Sequence, residues 1–401
     1  MRDLAAQLDI SPATVAAAYR TLRLRGLIGG DGRRGTHVTL QPPLRIRPAQ
    51  PLPPNTRDLA SGNPDAALLP PLEPAFGRLS HEHKLYGGPN KLERLVELAR
   101  ADFGADGVDG DIAIVGGALD GVERVLEAEL RAGDRVVVED PSWPRIHDLL
   151  LALRLEPDPV PIDDKALVPD ALEGALAAGA RAVIATPRGQ NPTAAAVDGD
   201  RGERLRHVLE RHPDVFVVED DYVGAVAGAP YVELHSKSPR WVVIRSLSKV
   251  LGPDLRVAPM AGDPLTISRV EGRQLLGAGW VSHILQQTAA ELWRAATPKL
   301  LPRTSTLYAE RRAALVNALA VRGIRAHGGS GLGVWVPLAE EVTVVQHLLE
   351  RGWAVSAGER YRFRTPSGIR ITTTDLEPKE ATQVAAAVAE ALAGGAATYS
   401  G

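Results

Sequence analysis

The sequence predicts an α/β protein with a mostly parallel sheet in a large lobe and a small α+β lobe, preceded by a separate small helical unit. Two observations carry the large lobe. Short apolar runs, DIAIV near 111, RVVVE near 135, RAVIAT near 181, DVFVVED near 214 and WVVIRS near 241, alternate with helical segments. None shows the apolar/polar alternation of a half-exposed strand, so each suits a strand covered on both faces in a parallel sheet. The third observation is a boundary. Residues 41–57, QPPLRIRPAQPLPPNTR, hold six prolines in seventeen positions, a density that opposes helix and favours a stiff extended linker. The expected domains are therefore 1–40, the linker 41–57, and 58–401.

Composition narrows the function. The 401 residues carry no cysteine, which excludes disulfides, thiolate nucleophiles and cysteine-ligated zinc and removes any need for an oxidising compartment. No run approaches the roughly 18 apolar residues of a membrane span, and the amino terminus has no signal-peptide character. The expectation is a cytoplasmic protein with no membrane and no metal. The net charge of −3 is uneven, since residues 1–47 hold eight arginines against Asp3, Asp9 and Asp31, a balance of +5 that leaves −8 for the remainder. The amino-terminal unit is the part suited to a polyanion.

That unit, MRDLAAQLDISPATVAAAYRTLRLRGLI, reads as two helices around a tight turn, with Leu4, Ala5, Leu8, Ile10, Val15, Tyr19 and Leu22 facing one core. Ser11 is a good cap for the second helix, with Pro12 at its first position. The following LIGGDGRRGTHVTL reads as a β-hairpin whose tip carries Arg33 and Arg34. A recognition helix beside a basic wing fits DNA, with Ser11, Thr14, Arg20, Arg33 and Arg34 as the candidate contacts. A small helical cap with solvated arginines is the plainer alternative. The string AAQLDISPATVAAAYRTLRLRGLI followed by GRRGTHV resembles the winged helix of GntR-type bacterial regulators. In that family a further helix and a short proline-serine segment precede the position of Met1. The expectation is therefore a partial winged helix-turn-helix with weakened DNA binding.

Downstream, SLSKVLGPDLRVA at 246–258 follows the WVVIR run. Lys249 can form a Schiff base there, with Ser246, Ser248 and Arg256 gathered around a phosphate. Any of the seven lysines also suits a solvated surface. The string resembles the cofactor-lysine motif of fold type I pyridoxal-phosphate-dependent aminotransferases, in which an arginine seven positions after the lysine binds the phosphate. Arg256 stands at that position.

The resemblance implies roles for other residues in the same chain order. Asp220 in VVEDDY matches the carboxylate that pairs with the pyridine nitrogen, and Tyr222 the phenol beside the ring's phenolic oxygen. Asn191 in RGQNPT matches an amide on that same oxygen. Gly117, Ala118 and Leu119 in GGALDGVERVL stand where a strand enters a helix, placing backbone N–H groups for the phosphate. Trp143 in EDPSWP stands where an aromatic lies near the ring. Alone, these strings equally suit a strand end, tight turns and core packing. Tyr86 in LYGGPNKLERL resembles a tyrosine reaching the neighbouring subunit's phosphate, implying a homodimer, and Arg370 in SGIRITTT resembles the arginine that forks onto a substrate carboxylate. Three departures stand out: Ala194 and Ala258 where glycines are usual, and a second acid at Asp221.

The small lobe is expected from the helical TLYAERRAALVNALAVRG, the strands LGVWVPL and GIRITTT with a helix between them, and an Ala-rich tail after 390 that reads as frayed. Winged helix, proline linker and aminotransferase-like domain in this order resemble the MocR subfamily of transcriptional regulators. The resemblance implies pyridoxal 5′-phosphate as cofactor, DNA as partner, and an amine, amino acid or the vitamin itself as effector. The competing expectation is a pyridoxal-phosphate-dependent aminotransferase acting on an amino acid, its amino-terminal segment vestigial.

Overall fold

The computed structural model describes residues 2–24, 28–29, 36–38, 51–80 and 82–397. In the amino-terminal unit, helices Arg2–Gln7 and Pro12–Leu24 flank a turn, and Ile28–Gly29 pairs antiparallel with His37–Val38, as expected of a hairpin. Ala5 and Val15 are buried, but Leu8 and Ile10, expected in the same core, are exposed at 56% and 41%. They follow the end of a six-residue helix, outside its regular turns.

The large lobe is an eight-stranded sheet. Its strands are β1 Asp111–Val115, β2 Arg135–Asp140, β3 Glu156–Asp163, β4 Ala166–Leu167, β5 Ala182–Ala185, β6 Phe216–Asp221, β7 Trp241–Arg245 and β8 Ala258–Gly262, in the order β1-β8-β7-β6-β5-β2-β3-β4. Neighbours from β7 to β3 are parallel; β8 runs antiparallel to both β7 and β1. All five apolar runs named above are strands. Strands β3 and β8 carried no such signal. In β3, Pro157, Pro159 and Pro161 alternate, and a period of two puts all three missing donors on one side, away from the pairing with β2.

Helices cover both faces and divide the core. Phe216 and Val218 of β6 pack with Val122, Val125 and Leu150 on one face, while Val217 packs with Phe103 and Leu205 on the other. Each strand is therefore apolar on both faces, which explains the unbroken apolar runs.

The small lobe has its own core around Leu315, Val334, Ile369 and Val388. Its sheet joins β9 Gly333–Pro337, β10 Ser356–Ala357 and β11 Gly368–Thr372 in the order β9-β11-β10. Arg57, the last residue of the expected linker, pairs with Trp353 and bonds Asp375 and Glu380 of the small lobe. The Ala-rich tail is not frayed over its described part: the last helix runs Pro378–Ala397, and Ala385, Val388 and Ala391 are buried in the lobe core. No helix among the described residues is long and apolar enough to cross a membrane.

Candidate active site

A cavity of about 320 Å³ opens at the carboxyl ends of β2, β5, β6 and β7, where an open α/β sheet offers its loops to a ligand. It brings together Lys249, Asn191, Asp220, Tyr222, Ser246, Ser248, Arg256, Ala118, Leu119, Trp143 and Arg370 from the sequence-based set. Gly117 lies at its edge, capping helix Ala118–Glu129 with φ 111°. A Cβ there would stand 2.2 Å from Nη2 of Arg256, so only glycine admits that guanidinium. Tyr86 does not line this chain's cavity. It is 93% exposed, its ring edge-on to Trp280 at 5.5 Å.

The electrostatics follow from strand alternation. Asp220 points to the cavity face of β6, is buried, and its Oδ1 has no hydrogen-bond partner. Burial first, then Asp221 and Glu139, push its pKa up to about 7. Asp221 points to the other face, where Nε and Nη2 of Arg188 and Nε of Arg245 each donate to it at 2.8 Å. Burial alone raises its pKa, but the hydrogen bonds and charges of those arginines outweigh it and hold Asp221 below the usual carboxylate range. The second acid is thus part of a neutralised structural cluster.

Lys249 Nζ donates to the carbonyl of Gly62. Burial, then the charges of Arg370 and Arg256, lower its pKa to about 8. Tyr222 donates to the carbonyl of Gly189 at 2.8 Å, and burial raises its pKa. Asn191 Oδ1 is a second buried acceptor without a partner. Arg256 takes a left-handed backbone, φ 48°, which turns Nη2 onto the carbonyl of Gly116 at 3.1 Å and Nη1 toward Ser248 Oγ at 3.5 Å. Ala194, where the resemblance expects glycine, adopts φ 60°, a conformation that costs an L-residue about 1 kcal/mol. Its N–H still reaches Gln190 O at 2.7 Å.

Arg370 is held by two hydroxyls: Nη1 donates to Tyr361 at 2.9 Å and Nη2 to Thr372 at 2.7 Å. Ser142 N donates to Tyr361 O at 2.7 Å. Asp140 accepts the backbone N–H groups of Phe363, Arg364 and Thr365. The end of β2 thereby clasps the small-lobe loop that orients Arg370.

Sequence reasoning missed Gly62, Glu139 and Gln190. Glu139 is buried with a pKa raised by burial to about 7 and accepts from Thr186 N and Gln190 Nε2 at 3.0 Å. No local pattern marks these residues, since their place depends on which strand ends meet. Of the DNA candidates, Ser11 caps its helix, accepting from Thr14 N at 3.0 Å, with its hydroxyl 2.8 Å from that of Thr14. The side chain of Arg20, and Arg33 and Arg34 altogether, lie outside the described residues.

Fold and cavity together define a pyridoxal-phosphate aminotransferase-type domain. The chain belongs to the aminotransferase class I and II family, whose profile matches residues 58–388. It is 38% identical over 398 residues to the vitamin B6 salvage pathway transcriptional repressor PtsJ of Salmonella typhimurium, an alignment covering 98% of this chain and 92% of that one. It is 26% identical over 338 residues to the HTH-type pyridoxine biosynthesis transcriptional regulator PdxR of Corynebacterium glutamicum, covering 79% and 73%. Among solved structures, the α-aminoadipate aminotransferase LysN of Thermus thermophilus, complexed with N-(5′-phosphopyridoxyl)-L-leucine, superposes with TM-score 0.77 at 22% identity over 86% of this chain and 94% of that one. This last likeness shows the fold.

The cofactor of this family's domain is pyridoxal 5′-phosphate. The residues present fit it. The partnerless buried carboxylate oxygen of Asp220, a lysine of lowered pKa, and a glycine-walled turn beside an arginine suit a ring nitrogen, a carbonyl carbon and a phosphate.

Proposed function

We propose that the chain is a pyridoxal-phosphate-binding, DNA-binding transcriptional regulator of the bacterial cytoplasm, whose domain from residue 58 senses an amine, an amino acid or the vitamin itself. The observation that carries this reading is the 38% identity to PtsJ along 98% of the chain, which takes in the amino-terminal helices as well as the cavity. In this assignment residues 1–40 read DNA through the helix Pro12–Leu24 and the arginines at 33 and 34, and residues 41–57 are the linker.

When bound, the cofactor supplies an electrophilic carbon for amines and an electron-withdrawing ring. The chain's own groups position it. Asp220, whose Oδ1 has no partner in the protein, would receive the pyridine N–H. Asn191 and Tyr222 would hold the phenolic oxygen, with Trp143 lining the same cavity. The N–H groups of 117–119, the hydroxyls of Ser246 and Ser248, and Arg256 receive the phosphate. The amine of Lys249, largely neutral just above pH 8, is the attachment point. Arg370 takes the effector's carboxylate. Tyr86, exposed on one subunit, serves the site of a second copy. Lys249, whose Nζ donates to the carbonyl of Gly62, would hold the cofactor, and the clasp from Asp140 to residues 363–365 would couple occupancy of the cavity to the small lobe.

The test is a gel-shift titration on the promoter DNA at fixed salt, with and without pyridoxal phosphate, for wild type and Lys249→Ala. A shift in DNA affinity on adding the cofactor, absent in the variant, supports the sensor. Cofactor binding without any effect on DNA binding overturns it. A second reading, transaminase turnover, draws on a cavity of about 320 Å³ that leaves Arg370 and Lys249 facing one space. An amino-donor screen for keto acid production decides it.

A further inference from the structure

We propose that the ligand of this domain is an amino acid whose side chain ends in a second anionic group, received on Arg360 and Arg145 in a side cavity beyond Arg370. The proposal rests on the amino-acid-sensing reading above and names the class of ligand.

A second cavity, about 390 Å³, adjoins the cofactor cavity and shares Gly62, Trp143 and Arg370 with it. Three arginines from three elements line it: Arg145 in the first turn of helix Pro144–Ala152, Arg360 at the end of the short helix Gly358–Arg360, and Arg370 on β11. No Asp or Glu stands among the described residues that line it.

These charges are poorly compensated within the protein. Arg370, 8% exposed, bonds only to hydroxyls. Arg360 makes no ion pair among the described residues, and Arg145 meets Asp148 at 3.8 Å with both side chains 59% exposed. Arg57, Arg201 and Arg311, by contrast, each have a carboxylate at 3.1 Å or closer, while buried Arg312 is satisfied by the backbone carbonyls of Gly328 and Gly331. Three converging cations raise the potential of a concave site and favour anions there. One carboxylate on Arg370 satisfies one of them. A ligand with a second anionic end satisfies the group.

The wall is also held in place. Tyr361, which orients Arg370, immediately follows Arg360, and its carbonyl is tied to Ser142 N at 2.7 Å, next to Trp143. Arg360 and Arg370 are thus linked through one short rigid segment, while Arg145 lies two residues beyond Trp143. A ligand that engages Lys249 with its amine and Arg370 with its carboxylate has the side cavity beside it for its side chain.

The experiment titrates the cofactor-loaded full chain with L-glutamate, L-aspartate, L-glutamine and L-asparagine, following the cofactor absorption, and separately titrates glutarate and butyrate by calorimetry. Glutarate carries both anionic ends and no amine, so it probes the arginines apart from amine chemistry. Two partly exposed ion pairs predict about tenfold tighter binding of the acids than of their amides. Glutarate is expected to bind more tightly than butyrate, and in Arg360→Gln and Arg145→Gln both preferences fall toward unity, with melting curves reporting that the variants fold. Amides bound as tightly as acids, while amino acids still perturb the cofactor band, overturn this inference and leave the sensor reading intact. Absence of any amino-acid effect on the band overturns the sensing of amino acids as well.

Discussion

Asp220 and Asp221 are consecutive on β6 and stand in opposite electrostatic environments: Asp221 takes guanidinium donors from Arg188 and Arg245 at 2.8 Å, whereas Oδ1 of Asp220 is buried with no hydrogen-bond partner. Strand alternation separates them, one toward the cofactor cavity and one toward the helix that carries Asp102 and Asp106.

The cofactor-free chain should lose stability between about pH 4 and pH 7 because of Asp220. Its folded pKa is about 7, against 3.8 for the free side chain, so the folded chain binds an extra proton across that window. Stability contributed by that proton is present at low pH and is lost as pH rises through 7. Melting temperature measured from pH 5 to pH 8 should fall less in Asp220→Asn than in wild type, and the same variant should bind pyridoxal phosphate at least about tenfold more weakly. Parallel curves for the two proteins would remove Asp220 as the source.

Asp221→Asn should instead unfold readily. Removing one charge from a buried set with two arginines costs about 3–5 kcal/mol, and the sharing of Asp102 and Asp106 by those arginines places the expected value at the lower end. Urea denaturation gives the midpoint, and one equal to that of Asp220→Asn would contradict the division of labour.

Capture of pyridoxal phosphate should quicken as pH rises through about 8, where Lys249 becomes neutral and nucleophilic. A surface lysine would require a pH above about 10. Because Arg370 contributes to the lowered pKa, Arg370→Gln should move the midpoint upward. Stopped-flow absorption against pH measures both, and peptide mapping after borohydride reduction should find the label on Lys249.

Tyr86→Phe keeps the ring against Trp280 and removes the hydroxyl. If that hydroxyl completes the phosphate site of a second subunit, cofactor affinity falls about tenfold or more while light scattering reports the same oligomeric state as wild type. Unchanged affinity in the variant would remove Tyr86 from the site.

By itself, the sequence determined the elements and the chemical inventory. Apolar runs buried on both faces announce themselves, so β1, β2, β5, β6 and β7 were legible. Ser11 was legible as a cap because its partner is three residues away. The meeting of Lys249, Ser248 and Arg256 in one cavity was legible because the turn that joins them is local. Strand β3 was not, because its prolines are tolerated only by an edge that no local pattern reveals.

Only the tertiary structure decided what depends on distant segments meeting. Glu139 and Gln190 bond across 51 residues of sequence, Gly62 receives Lys249 across 187, and Arg311 reaches Asp65 across 246. It also settled the face of each acid in the Asp220–Asp221 pair, which makes one a cavity group and the other the anchor of a buried ion cluster. The physical reason is common to these cases: a side chain's charge state and partners are set by burial and by neighbours in space, and neither is a property of a short stretch of chain.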